Sequence, residues 1–465
     1  MKYNNKITEF YRPIKVNSPY MEIVMIRRIL LCFLVLMSFL LPLDRESFKS
    51  RRLNIRNQLG PRSAMVLLTS DIYPRNNDVD FPFRPDSDFW YVTGHPEPDA
   101  KLIMTAIDFK GKKEVPFHGE IIFAQPRNRL RERWNGKRLG SQGAKEELGF
   151  QYFAVSDSFK IILSQILPYI DTVFVNYGQS QPGNKSQSSF NQVEDIIPDN
   201  VTVLDAGSII HPMRHIKTRE EIELLQKAID ITGKAFIEAM VRTKPGLYEY
   251  NIEASIEFIF RDSGCQRSGF PSIVGSGPNS TILHYTKNDR FMEKGDLLLM
   301  DIGAEYQMYS ADITRTIPVN GKFTPEQKEL YHYVLKAQRT IFDSVKAGMT
   351  LQDLQRIAKN YLRNKGFDRY FIHGVGHWLG LDVHDVGGCT TEITEGSVFT
   401  IEPGIYIPED DTSLPAPYRG IGIRIEDDVL MTDKGPVWLS AHIPKEIEKI
   451  EKIMRKSRYR LKKQR

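Results

Sequence analysis

The apolar positions of the chain change rhythm near residue 206. Before that point short apolar runs (Ala64–Leu68, Leu102–Ala106, Glu120–Phe123, Thr172–Val175 and Val201–Leu204) alternate with helical stretches such as Ser158–Ile170. A short apolar run bounded by polar residues reads as a buried strand. Strands alternating with helices predict an α/β domain over residues 45–206. Gly178–Ser189 is polar and rich in Gly, Ser and Gln, and reads as a surface loop.

From Thr218 the apolar period lengthens to that of helices. Thr218 and Glu221 form a capping box ahead of Ile222, Leu225 and Ile229. In this motif hydroxyl and carboxylate each accept a backbone N–H that the first helical turn leaves free. A second helix, about Glu249–Asp262, stops at Gly264, and strands follow at Leu297–Ile302 and Ile313–Val319. The order then repeats. Thr324-Pro325-Glu326-Gln327 caps a helix reaching about Lys346, with proline at the first helical position, where its missing N–H costs nothing. Another helix, about Leu351–Lys365, stops at Gly366, and strands resume at Ser397–Ile401 and Gly422–Leu430. Two helices then sheet, twice over, predict a duplicated α+β unit spanning residues 207–450. Pro245-Gly246-Leu247 and Ala347-Gly348-Met349 fall at equivalent points of its halves. Residues 1–44 are left as an N-terminal extension and 451–465 as a basic tail.

Two domains suit a chain of 465 residues, of which 41% are hydrophobic and 26% charged, as in globular proteins. The net charge of +5 hides an asymmetry: residues 1–60 carry +7 and residues 445–465 carry +7, leaving −9 for residues 61–444. A nucleic-acid binder carries its basic stripe on the folded domain, so that function class is set aside. Cys32, Cys265 and Cys389 are odd in number and far apart, giving neither a disulfide framework nor a CxxC pair, which suits a reducing compartment. Arg27-Arg28 precedes an apolar run, Ile29–Leu43, broken by Ser38 and Pro42. It resembles a signal-peptide core, but no small-x-small cleavage site follows, and a membrane span needs roughly 20 apolar residues. A cytoplasmic protein without membrane association is expected, with Met37 as the favoured start and export, then a membrane anchor, as the rival readings.

Five potential metal ligands lie on or beside the second-half strands. Asp301 follows Leu297-Leu298-Leu299-Met300, and Asp312 opens the next apolar run, a hairpin that would turn both carboxylates inward. His377 lies in His373-Gly374-Val375-Gly376-His377, Glu402 follows Val398-Phe399-Thr400-Ile401, and Glu426 follows Gly422-Ile423-Arg424-Ile425. Burying an unpaired acid is costly, and a single such residue is commonly salt-bridged. Four acids and a histidine with no matching inward lysines instead call for divalent cations. Oxygen ligands with one imidazole suit Mn²⁺, Co²⁺, Fe²⁺ or Zn²⁺. Two such ions can hold a bridging hydroxide at neutral pH and polarise a carbonyl.

The set Asp301, Asp312, His377, Glu402 and Glu426 resembles the metal-ligand signature of the pita-bread metallopeptidases, which include methionine aminopeptidase, prolidase and aminopeptidase P. The similarity to aminopeptidase P runs from about residue 45 to 450. It is carried by Ile282-Leu283-His284-Tyr285-Thr286, Asp301-Ile302-Gly303, Ala311-Asp312-Ile313-Thr314-Arg315-Thr316, His373 through Asp385, Ile401-Glu402-Pro403-Gly404 and Gly422 through Asp427. Asp78 through Arg84 and Asp86 through Gly94 extend it into the first domain, which small methionine aminopeptidases lack. Creatinase, which keeps the fold without the ligands, is set aside.

The resemblance implies an α/β N-terminal domain, a pita-bread catalytic domain and release of the first residue from peptides with proline second. It implies two divalent ions, Mn²⁺ first, with Co²⁺ or Zn²⁺ as alternatives. Asp312 and Glu426 would bridge them, Asp301 would complete one shell, and His377 and Glu402 the other. Glu402 would also be the proton acceptor, and His284, His373 and His384 would line the substrate site. Arg424 would face the cleft and pair with Asp78. The family resemblance further implies a homo-oligomer, dimer or tetramer, with Trp134 near a neighbour's cleft; core packing is the alternative for Trp134. Prolidase, which shares the ligands, is the rival enzyme, and a metal-free peptide-binding module on the same fold is the rival from another class.

Overall fold

The computed structural model describes residues 43–107, 109, 115–176 and 193–463, with residues 457–463 described by backbone alone. The polar segment 178–189, Cys32 and residues 29–42 of the apolar run lie outside the described residues. From Arg45 onward the chain forms one compact unit. Among the described residues no helix is long and apolar enough to cross a membrane.

A six-stranded sheet organises the N-terminal part, in the order Phe153–Val155, Glu120–Ala124, Lys101–Thr105, Ser63–Leu68, Thr172–Val175, Thr202–Asp205. Ser63–Leu68 is buried along its whole length, the pattern of a central strand covered on both faces. It pairs antiparallel with Lys101–Thr105 and parallel with Thr172–Val175. Phe159, Ile162, Leu163 and Ile166 of the helix Phe159–Ile166 join the sheet's core. The expected helix to Ile170 ends earlier, in a 3-10 turn at Leu167–Tyr169, because Pro168 cannot donate to the ladder and its ring crowds the preceding turn.

The C-terminal part repeats itself. A 24-residue helix, Arg219–Arg242, and the helix Glu249–Asp262 precede the sheet Ile273–Ser276, Leu297–Ile302, Ile313–Pro318. Helices Pro325–Ser344 and Leu351–Arg363 precede the sheet Val398–Ile401, Asp427–Thr432, Gly435–Trp438. Both capping boxes form, at Thr218/Glu221 and Thr324/Gln327. The duplication also appears in the backbone hydrogen bonds. The Gly246 N–H donates to the Met292 carbonyl while the Met292 N–H donates to Leu247; in the second half Gly348 donates to Ile393 and Ile393 to Met349. Gly246 and Gly348 have φ of +90° and +83°, a conformation that a side chain would strain.

The expected single strand Gly422–Leu430 is instead two. Ile421–Arg424 pairs with Gly404–Ile407, and Asp427–Thr432 pairs with Val398–Ile401. Both members of the ladder break at one level, Glu402-Pro403 on one and Ile425-Glu426 on the other, since Pro403 has no N–H to continue the pairing. Glu402 and Glu426 therefore face each other across a bend. The first half does the same. Leu297–Ile302 pairs with Ile313–Pro318, and beyond Gly303 the chain joins a separate small sheet through Ala304–Tyr306 and Tyr309–Ser310. A Cβ at Gly303 would lie 1.8 Å from the Ala311 carbonyl oxygen, so only glycine lets the strands cross there. Asp301 and Asp312 flank that switch.

Candidate metal centre

Two strand switches and one loop bring the five expected ligands together. His377 Nε2 lies 3.2 Å from Asp312 Oδ2, 3.7 Å from Glu402 Oε1 and 4.0 Å from Glu426 Oε1. Ligand atoms of Asp312, His377 and Glu426 all fall within 4.8 Å of one another. His377 Nδ1 is 3.1 Å from the Trp378 carbonyl, so Nδ1 carries the proton and the Nε2 lone pair faces the carboxylates, the tautomer a metal ligand requires. Burial lowers the His377 pKa to about 4, keeping the ring neutral. Asp301 is the cross-strand partner of Thr314, and Asp312 lies two residues before Thr314; in an extended chain both carboxylates project from one face.

The electrostatics call for cations. Burial, reinforced by neighbouring carboxylates, pushes Asp312 and Glu426 well above the usual carboxylate range. Burial raises Glu402 to about 8, with Arg424 opposing and Asp301 adding to the shift. Asp428 is raised in the same way. Asp301 Oδ1 and Asp312 Oδ1 are buried without a hydrogen-bond partner, a costly arrangement in a protein interior. The Arg424 guanidinium, 2.6 Å from Asp301 Oδ2, supplies one positive charge against this group. Oxygen-rich, under-compensated and with two oxygens unpartnered, the cluster fits divalent ions.

Around it stand the remaining candidates. His373 Nε2 is 2.7 Å from the Tyr406 hydroxyl, and its Nδ1 is 3.6 Å from Glu402 Oε2. Burial lowers the His373 pKa to about 4, with Arg424 contributing. The His384 ring centre lies 4.1 Å from that of His377 and the residue is exposed, as is His284. The His284 loop is tied down by its neighbour, the Tyr285 hydroxyl donating to buried Glu249 over 2.9 Å. Arg424 is 3% exposed and donates to Asp301, to the Tyr406 hydroxyl at 2.9 Å and to Thr314 Oγ1 at 3.0 Å. That corrects the expected pairing with Asp78, which is exposed in a small hairpin of the first domain. The nearer carboxylate holds the guanidinium inside. Trp134 is 88% exposed on the short helix Glu132–Asn135, which excludes core packing within this chain.

Residues 48–174 match the model of the aminopeptidase P N-terminal domain, and residues 223–433 match that of metallopeptidase family M24. Xaa-Pro aminopeptidase from Haemophilus influenzae is 38% identical over 442 residues, covering 90% of this chain and 99% of that protein. The chain belongs to the aminopeptidase P family. The structure of Pseudomonas aeruginosa aminopeptidase PepP is 31% identical, with a TM-score of 0.82 over 90% of this chain and all of the other. Zinc-substituted Escherichia coli aminopeptidase P in complex with product is 34% identical, with a TM-score of 0.79 over 90% of this chain and 99% of that one. The fold is therefore the pita-bread type behind an aminopeptidase P N-terminal domain.

Three residues of this aminopeptidase P family site escaped sequence reasoning. The Tyr406 hydroxyl joins His373 to Arg424. Its signal was a tyrosine within Ile405-Tyr406-Ile407, whose hydroxyl must find a partner if the strand is buried. Thr314 donates to Glu426 Oε2 at 2.7 Å while accepting from Arg424, so one hydroxyl orients a candidate ligand and a cation. Asp428 accepts the Asp312 N–H at 3.3 Å and was hidden in an ordinary-looking acidic pair.

A second charge network lies behind the His384 segment. Buried Arg214 donates to Asp88 Oδ1 at 2.7 Å, to Asp382 Oδ2 at 2.9 Å and to Asp385, while Lys217 is 2.9 Å from Asp385 Oδ2. Arg214 holds the Asp88 carboxyl, and with Lys217 the Asp385 carboxyl, below the usual range against the cost of burial; Asp385 reaches about 2. Replacing Arg214 by alanine leaves Asp385 on Lys217, Asp382 on Ser87 and Asp88 on His211, but removes the one buried cation shared by all three acids, and thermal or denaturant unfolding should show a loss of about 3–5 kcal/mol.

Proposed function

We propose that this protein is a metal-dependent Xaa-Pro aminopeptidase, removing the N-terminal residue from peptides whose second residue is proline. The observation that carries this reading is the convergence of Asp301, Asp312, His377, Glu402 and Glu426, with buried unpartnered oxygens, in a chain similar to Xaa-Pro aminopeptidases over almost its whole length.

Asp312 and Glu426 would be shared between two ions, Asp301 would serve one, and His377 and Glu402 the other. Bound there, divalent ions supply Lewis-acid activation of water and of the scissile carbonyl. The chain's own groups do the rest. Glu402 takes the proton of the attacking water and returns it to the departing proline nitrogen. An Xaa-Pro bond is a tertiary amide without N–H, so the scissile nitrogen offers no donor to grip. The carbonyl and flanking groups must be held instead. His384 and His284, exposed beside the centre, are suited to donate to the carbonyl oxygen as charge develops on it. His373, tied to Tyr406, is suited to orient the peptide.

His384→Ala should retain both metals and lose roughly 10²–10³-fold in kcat, as for a missing oxyanion donor. Metal analysis with steady-state rates decides: loss of an ion would make His384 a ligand, and a normal rate would make it structural.

Mn²⁺ is the proposed ion, with Co²⁺ or Zn²⁺ as alternatives. The test of function is a cleavage panel of Xaa-Pro dipeptides and Xaa-Pro-Yaa tripeptides with each ion. Cleavage of tripeptides supports the proposal, whereas cleavage of dipeptides alone would make the protein a prolidase. We also propose residues 45–206 and 207–450 as its two domains, a cytoplasmic location, and a dimer or tetramer in which exposed Trp134 meets a neighbouring copy.

A further inference from the structure

His384 occupies Leu381–Asp385, a segment in neither helix nor strand, so its placement depends on the groups that hold its neighbours. Several of these come from the first domain. Arg84 Nη2 donates to the Leu381 carbonyl at 2.7 Å, and Arg84 Nη1 donates to the Ser87 hydroxyl at 2.9 Å. That hydroxyl donates in turn to Asp382 Oδ1 at 2.6 Å. Arg214 and Lys217 grip Asp382 and Asp385 from the other side. The main chain three residues before His384 and the side chains two before and one after it are all tethered, while His384 itself remains exposed beside the metal ligands. Arg84 Nε is anchored at 2.8 Å on Glu305 Oε2, a carboxylate that also pairs with Arg267 at 2.6 Å.

We infer that Arg84 is a positioning residue for catalysis, contributed by the first domain, which fixes His384 by holding Leu381 and, through Ser87, Asp382. The inference rests on the aminopeptidase reading of the site. A guanidinium suits the role because its planar fork reaches Glu305, Ser87 and the Leu381 carbonyl at once. The first domain is then part of the catalytic apparatus. Misplacing a catalytic group by about 1 Å can cost roughly 10²-fold, and Arg214 and Lys217 remain to limit the movement. A loss of about tenfold is expected when Arg84 is removed.

The test is a double-mutant cycle on the metal-loaded enzyme with a tripeptide carrying proline second, comparing wild type, Arg84→Met, His384→Ala and the double variant. Arg84→Met leaves Glu305 paired with Arg267 and Asp382 paired with Arg214, so no buried acid is stranded. It should lower kcat about tenfold, change KM less than about twofold, keep its metals, and lower kcat no further in the His384→Ala background. Equal losses in both backgrounds, or none in the wild-type background, would overturn the inference. If Arg84→Met fails to fold or to load metal, the same cycle on Ser87→Ala replaces it, with a loss of about two- to threefold that should vanish without His384. A wild-type enzyme that leaves the tripeptide uncut would overturn the proposed function rather than the role of Arg84.

Discussion

Stripping the protein of divalent ions should abolish peptide cleavage, and re-addition of Mn²⁺ should restore it. The same treatment should make stability fall as pH rises. Asp312, Glu402 and Glu426 share one buried space with Asp301, and without cations their ionisation is opposed by burial and by one another. Glu402 shows the sign: its pKa rises from 4.5 to about 8 on folding. A raised carboxyl pKa gives stability that is fully present below the unfolded value and is lost as pH climbs through the folded one. The metal-free protein should therefore weaken between about pH 5 and 8.5. Bound ions favour the ionised carboxylates and remove that slope, adding about 2.7 kcal/mol at a hundredfold excess over Kd. Thermal unfolding of both forms across this range should show a gap in Tm that widens with pH. Full activity after verified removal of all metal would end the mechanism. A gap that stays constant with pH would show that the carboxylates are already ionised in the metal-free state.

Glu402→Gln should cost roughly 10²–10⁴-fold in kcat with little change in KM, because a general base acts on the transition state. Glutamine keeps the volume and a carbonyl oxygen, so packing at the bend opposite Ile425-Glu426 is preserved. Its amide cannot take a proton from water at neutral pH. Glu402 lies 3.6 Å from His373 and 3.7 Å from His377, within reach of both rings, a placement that suits the proposed proton acceptor. An unchanged kcat would remove Glu402 from the role. A variant that loses an ion would assign the effect to ligation instead.

The helices were legible because their signals are local. Thr218 with Glu221 and Thr324 with Gln327 satisfy first-turn donors from within four residues of sequence, and both boxes form. The ligand candidates were legible for a different reason. An acid at either end of an apolar strand is an energetic anomaly visible without coordinates, and four such anomalies with one histidine point to cations. Tyr406, Thr314 and Asp428 were not legible, since each lies in an ordinary strand context and gains its meaning from a partner elsewhere in the chain. The break at Ile425-Glu426 was missed because no proline or glycine between Ile423 and Leu430 marks it. It is imposed from the opposite strand, by Pro403.

The sequence by itself determined the two-part architecture, the repeated helix–helix–sheet order and the five residues proposed to hold metal. These follow from periodicity, capping chemistry and the cost of burying charge, all of which act over a few residues. Only the tertiary structure decided which groups meet. Arg424 reaches Asp301 across 123 positions rather than the exposed Asp78, and Thr314 reaches Glu426 across 112. Arg84 of the first domain holds Leu381 across 297. Such pairings depend on strand register and on where each ladder breaks, and a ladder is the joint property of two distant segments, written in neither one alone.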